Sequence, residues 1–200
     1  MWRPMNLRFF PLSIIMVLVL GIGFVVFFRA PKQEVVSVPQ VESATNPPPK
    51  EYMIITSPSF RQNGYIPLVY TCDGNDMSPP LDVRDVPPEA KSLALVVDDP
   101  DAPRGTWVHW VVWNIPPQTT QIRERSVPPD ATEGETSFGK SGYGGPCPHS
   151  GAHRYFFKLY ALDTMLDLTS KANSAVLEKA MEGHVLEKDE LVGLYSREKI

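Results

Sequence analysis

The chain has 200 residues, a formal net charge of −4 and 21 prolines. That length suffices for one domain with a real core plus appendages, and so many prolines favour loops and short strands over long helices. From residue 51 onward 14 basic residues stand against 21 acidic ones, a net −7, which argues against nucleic acid as a partner because such partners reward basic stripes.

The first element in chain order is apolar. Phe9–Phe28 runs for 20 residues without a charge, long enough for a hydrocarbon core of ~30 Å. Arg3 and Arg8 precede it; Arg29 and Lys32 follow. The expectation is a membrane anchor over residues 1–29. The tail would lie in the cytoplasm and the domain outside, as in a single-pass protein. A cleaved signal peptide is the rival reading, but the run is long for one and Phe28 stands where cleavage wants a small residue. A buried core helix is a third reading. Residues 30–50 hold Pro31, Pro39, Pro47, Pro48 and Pro49 and read as a semi-extended linker. The domain proper is placed at 51–200.

Within it the pattern is short β runs broken by turn chemistry. Strands are expected at Tyr52–Thr56, at Ile66–Tyr70 after the Asn63-Gly64 turn, and at Ser92–Asp98, whose apolar content suits a strand buried on both faces. Trp107–Ile115 follows, with Trp107, His109, Val111, Trp113 and Ile115 on one side by period-two counting. Pro128–Lys140 is polar and reads as a long loop leading to the site. Arg154–Leu162 places His153, Tyr155, Phe157 and Leu159 on a common face. A helix is expected at Ser174–Gly183, capped by Asn173 and stopped by Gly183, with Val176, Leu177, Ala180, Met181 and His184 as its stripe. Glu190–Tyr195 closes the domain.

Two segments carry the chemistry. In the first, Asp98-Asp99-Pro100-Asp101-Ala102-Pro103-Arg104-Gly105, a turn delivers Trp107 and His109 from an apolar strand. In the second, Gly142-Tyr143-Gly144-Gly145-Pro146-Cys147-Pro148-His149 leads into His153 and Tyr155. Aspartates beside prolines often only tie a turn, and a lone strand histidine is often a hydrogen-bonded core residue. A carboxylate near His109 would fix its tautomer and raise its pKa, so that the protonated ring pairs with a phosphate oxygen. The amides of Gly142 to Gly145 would form an anion nest, to which Pro146 adds no donor. Cys147, His149 and His153 have metal-like spacing, but Pro146, Pro148 and Gly151 break the segment, so no metal is expected. Cys72 and Cys147 are either bridged or two buried thiols; spacing does not decide. Ser137-Phe138-Gly139-Lys140 spells S-x-x-K in a Gly-rich loop that argues against the helix this motif needs. No convincing nucleophile emerges, and no enzyme is expected.

DDPDAP with WVHW, followed by GYGGPCP with GAHRYFF, resembles the phosphatidylethanolamine-binding protein family, also called Raf-kinase-inhibitor-like, in its short bacterial branch. Phe60–Pro80, Val86-Pro87 and the tail from Lys179 to Arg197 also fit, so the likeness spans residues 52–197. It departs from the family at His149, where a second proline is common, and at Val83, where bacterial members often carry tryptophan. The resemblance implies an all-β fold, a large antiparallel sheet packed on a smaller one with few peripheral helices. It implies an anion pocket at the end of the large sheet, using Asp99, His109, Gly145, Pro146, His153 and Tyr155, with Pro103 and Trp107 as its apolar wall. The expected function is a membrane-tethered module that binds a small phosphate-type head group without a cofactor. Two alternatives stand beside it: an inhibitor of a kinase or protease acting through protein contacts, and a weak ester hydrolase with Asp99 and His109 as its base pair.

Overall fold

A computed structural model describes residues 52–197. The anchor and linker expected of residues 1–50 lie outside the described residues. Among those described, no helix is long and apolar enough to cross a membrane.

The described residues form nine strands and one α-helix: β1 Ile54–Thr56, β2 Gly64–Tyr65, β3 Leu81–Arg84, β4 Ser92–Asp99, β5 Trp107–Ile115, β6 Gln121–Ile122, β7 Thr132–Glu133, β8 Ala152–Leu162, α1 Ser174–Met181 and β9 Val185–Ser196. They form a six-stranded sheet in the order β2-β9-β8-β4-β5-β7 and a three-stranded sheet in the order β1-β3-β6. Every pairing is antiparallel except β2 with β9. The expected large sheet on a smaller one is therefore present.

All eight residues of β4 are buried, as its unbroken apolar run requires of a strand covered on both faces. One face of the large sheet supplies Leu93, Leu95, Val97, Trp110, Tyr155, Phe157 and Leu159 to a core shared with Ile55, Leu81, Val83 and Ile122 of the small sheet. The opposite face, with Ala94, Val96, Val111 and Trp113, packs under Leu166, Ala172, Leu177 and Met181. The two sheets are also tied at an edge. Backbone N–H groups of Met53 and Ile55 donate to the Glu187 and Asp189 carboxylates of β9, at 3.1 and 2.8 Å. Those carboxylates satisfy donors that β1 would otherwise present at its unpaired edge.

Three local expectations need correction. Ile66–Tyr70 is not a strand: Leu68–Tyr70 is a single 3-10 turn, closed by bonds from Tyr70 N to Pro67 O and Thr71 N to Leu68 O, both 3.0 Å. Pro67 has no N–H to continue a ladder, so the strand ends before it. In α1, Asn173 does cap the helix, its side chain accepting from Val176 N at 3.1 Å, but of the stripe only Leu177 and Met181 are buried, while Val176 is exposed. His184 lies past the helix end and bonds Asp163. Third, strict alternation fails along β5. Val97 pairs with Trp110 but the next residue, Asp98, pairs with Val108, so His109 is one residue too many. This bulge puts His109 and Trp110, neighbours in sequence, against the same side of the sheet; bulges commonly re-aim side chains beside sites.

Candidate functional site

The turn after β4 separates three aspartates that are nearly adjacent in sequence. Asp98 faces the outer side, where Lys158 Nζ donates to it at 2.5 Å. Asp101 takes three bonds from Arg154: the backbone N and Nε at 2.9 Å and Nη2 at 2.6 Å. The fork-like guanidinium contact holds the Asp101 carboxyl down at about 2. Asp99 stays at the sheet end. Its Oδ1 accepts from Asp101 N at 2.8 Å, closing the turn, and its Oδ2 accepts from His153 Nδ1 at 2.7 Å. Asp99 is 4 % exposed, while His153 is partly exposed and faces the cavity.

The second imidazole is held differently. His109 Nδ1 lies 2.6 Å from the Gly144 carbonyl oxygen. A carbonyl only accepts, so Nδ1 carries the hydrogen and Nε2 is the free nitrogen. Gly144 N in turn donates to His109 O at 2.9 Å, locking β5 to the 142–147 loop. His109 is 3 % exposed, and burial lowers its pKa below the ordinary value, against smaller opposing effects from the Gly144 bond and from Asp99, Asp98 and Asp76. The expectation that a carboxylate would raise the His109 pKa is therefore overturned: Asp99 bonds His153 instead, and desolvation outweighs its longer-range charge.

Both histidines open onto one cavity of about 560 Å³, lined also by Asp99, Pro103, Arg104, Trp107, Phe138, Pro148 and His149. Of the nine residues named from sequence, five line this cavity: Asp99, Pro103, Trp107, His109 and His153. Tyr155 packs edge-on against the His109 ring at 5.2 Å. Its hydroxyl is buried, and burial, then the nearby Asp99 charge, pushes its pKa far up. Gly142, Gly145 and Pro146 do not line the cavity. The anion nest expected of residues 142–145 is not free to form there. Gly144 N is spent on His109 O, and Gly145 N donates to Asp76 Oδ1 at 2.6 Å.

Gly144 and Gly145 let the loop pack closely against its neighbours instead. A Cβ on Gly145 would fall 2.6 Å from Tyr70 O and 2.8 Å from Thr71 Cα, so only glycine allows the loop to lie against residues 70–76. Three further ties hold it there: Tyr143 OH donates to Tyr70 O at 2.9 Å, Cys72 N donates to Pro146 O at 3.2 Å, and Cys72 is joined to Cys147 by a disulfide with Cα atoms 5.5 Å apart. The cysteine question left open by spacing is thus answered as a bridge. A sulfur so engaged is no metal ligand, and among the described residues no three ligating side chains cluster.

Sequence reasoning missed Arg104 and Phe138. Phe138 stacks edge-on against both Trp107 and His109, at 5.4 and 5.5 Å between ring centres. The available signal was a lone aromatic in an otherwise polar, Gly-containing loop. Arg104 lies in the first motif itself, as the only cation of the turn.

The comparisons with known proteins bear on this geometry. Residues 56–196 match the family model described as phosphatidylethanolamine-binding protein. The chain belongs to that family. It is 51 % identical over 150 residues to a UPF0098 protein of Methanothermobacter thermautotrophicus, covering 72 % of this chain and 99 % of the relative. With a UPF0098 protein of Aquifex aeolicus it shares 46 % identity, over 73 % of this chain and 90 % of the relative. Among solved structures, a homologue of phosphatidylethanolamine-binding proteins from Chlamydia trachomatis superposes with a TM-score of 0.71 at 40 % identity, covering 74 % of this chain and 99 % of that one. YbcL of E. coli, described as a new member of the mammalian family, gives 0.70 at 29 % identity, covering 74 % of this chain and all of that one. The relatives place this family member in a bacterial and archaeal branch.

Proposed function

We propose that the domain binds a small phosphate-type anion in the cavity between Asp99, His109 and His153, and binds it without turnover. The observation that carries this reading is the pair of imidazoles on one cavity, each with its Nδ1 committed to a protein oxygen at 2.7 Å or less. Each ring is thereby oriented and keeps Nε2 for a ligand. Protonation at Nε2 turns that nitrogen into a charge-assisted donor to a phosphate oxygen. Asp99 adds a negative charge to the wall, and one of its oxygens is taken up by the bond from His153. Arg104 supplies a permanent positive charge to the same cavity.

Binding rather than catalysis is supported by the state of the nearby nucleophiles. The Cys147 sulfur is in the disulfide. Ser137 Oγ accepts from Val108 N at 2.9 Å, with no imidazole as its partner. The alternative of a hydrolase built on Asp99 and His109 as a base pair loses its premise, because the hydrogen bond joins Asp99 to His153.

The test is a calorimetric titration with inorganic phosphate and with phosphoethanolamine. Saturable binding that weakens at least tenfold in both His109→Ala and His153→Ala is the expected result. No saturable binding, or binding unchanged in both variants, ends this reading. The uncharged run at residues 9–28 supports a membrane tether with the domain outside the cytoplasm. The disulfide supports the same side, since such bonds persist in oxidising compartments.

A further inference from the structure

Phe138 sits on the Thr136–Lys140 turn, which is pinned at several points. Thr136 Oγ1 donates to Lys140 O at 2.8 Å, Gly139 N donates to Thr136 O at 3.0 Å, and Ser137 exchanges two bonds with Val108, one residue before His109. The ring is 40 % exposed, whereas the His109 ring beside it is almost wholly covered. It also lies over Gly144, the residue whose carbonyl holds His109: a Cβ on Gly144 would meet the Phe138 ring at 2.4 Å. Gly144 therefore leaves the space into which the phenyl settles, edge-on to the His109 ring and on the lining of the same cavity.

We propose that Phe138 is a positioning residue, a lid that keeps the His109 imidazole dry and so determines how far anion capture must be accompanied by proton uptake. This rests on the anion-binding reading for its consequence, but the lid itself acts on the empty protein. The groups around His109 from the surrounding elements are Asp99 of β4, Tyr155 and His153 of β8, Asp76 of the 71–76 loop, and Arg104 and His149 at the rim of the cavity, with Asp98 acting by charge from the opposite side of the sheet. The acids among them favour the charged ring. What opposes them is exclusion of water; two rings pack edge-on against His109, Tyr155, which is buried, and Phe138, which is the exposed one of the two. With the lid in place the ring is neutral, and an entering phosphate must bring a proton to Nε2. One-proton uptake makes affinity fall about tenfold per pH unit above the histidine's midpoint.

The test uses the ligand-free protein first. The imidazole proton signals of His109 are followed by NMR against pH in wild type, Phe138→Leu and Phe138→Ala. The midpoint is expected to stay low in Phe138→Leu, which keeps an apolar cover, and to rise toward the ordinary 6.5 in Phe138→Ala. Gly144→Ala, which pushes the ring aside without removing it, should move the midpoint the same way even if Phe138→Ala does not fold. Phosphate titrations should then show the tenfold-per-unit decline beginning at a higher pH in Phe138→Ala. An unmoved His109 midpoint in Phe138→Ala or Gly144→Ala overturns the proposal whatever happens to phosphate. A raised midpoint with no phosphate binding in any form keeps the lid and defeats the anion reading instead.

Discussion

Asp99 and His153 meet across β4 and β8, at 2.7 Å and 54 positions apart in sequence, while His109 on the other side of β4 takes its hydrogen-bond partner from Gly144. The carboxylate thus orients one imidazole and a peptide carbonyl orients the other. Removing the carboxylate should free the His153 ring to turn. Asp99→Ala is expected to weaken phosphate binding about tenfold or more, since a hydrogen bond to a charged group contributes roughly 1.5–3 kcal/mol. Calorimetry decides it. Tighter binding in Asp99→Ala would mean that the carboxylate acts chiefly by repelling the anion.

A pH dependence follows from the burial of His109. Its ring binds a proton less readily folded than in the unfolded chain, so below the ordinary value of 6.5 the unfolded state takes up more protons. The His109 contribution to stability is intact above pH 6.5 and is lost progressively as pH falls from there toward the depressed folded value. Urea denaturation of the ligand-free domain between pH 8 and 5 should show stability falling through the acid side. His109→Asn should flatten that slope. An identical slope in the variant would place the titration elsewhere. Acid loss from Asp101 is separable, because it falls between about 4 and about 2.

Much of this site was legible in the sequence because strand periodicity and turn residues are local signals. Asp99 and Trp107 are opposite one another across β4 and β5, as a turn between two apolar runs implies. Which imidazole Asp99 holds was not legible, because β4 lies between β5 and β8 and a sequence does not state strand order. The bulge at His109 was hidden for a related reason: an extra residue shows only once its partner strand is in register. The glycine run was read as donors to a ligand, yet Asp76 and His109 claim two of those amides, and competition for a donor depends on distant residues. Phe138 was passed over because a single exposed aromatic in a polar loop reveals its role only through the rings it touches.

The disulfide encloses a long loop, Cys72 and Cys147 being 75 positions apart in sequence. The chain-entropy model assigns about 4 kcal/mol to such a closure. Cys147 also lines the cavity onto which His109 and His153 open, so the bond holds a cavity wall as well as the fold. The Cys72→Ala/Cys147→Ala double variant should lose about that stability in chemical denaturation and bind phosphate more weakly. Equal denaturation midpoints for the two proteins, or two titratable thiols in protein purified without reductant, would count against the bond.

A run of 20 uncharged residues at Phe9–Phe28 matches the span of a bilayer core, and neither its length nor Phe28 suits signal cleavage. Full-length protein expressed in a bacterial host should stay with the membrane through alkaline carbonate and leave it only with detergent. Protease added to the outer face of the inner membrane should cut within the proline-rich stretch 30–50 and release a fragment that still binds phosphate. Mass measurement of the membrane form should return the N-terminus with the apolar run attached. A mature form beginning after residue 28 would show that the run is removed and the domain set free. Protection from external protease, with cleavage only after the cells are opened, would place the domain on the cytoplasmic side, in a reducing compartment where the Cys72–Cys147 bond would not be expected to persist.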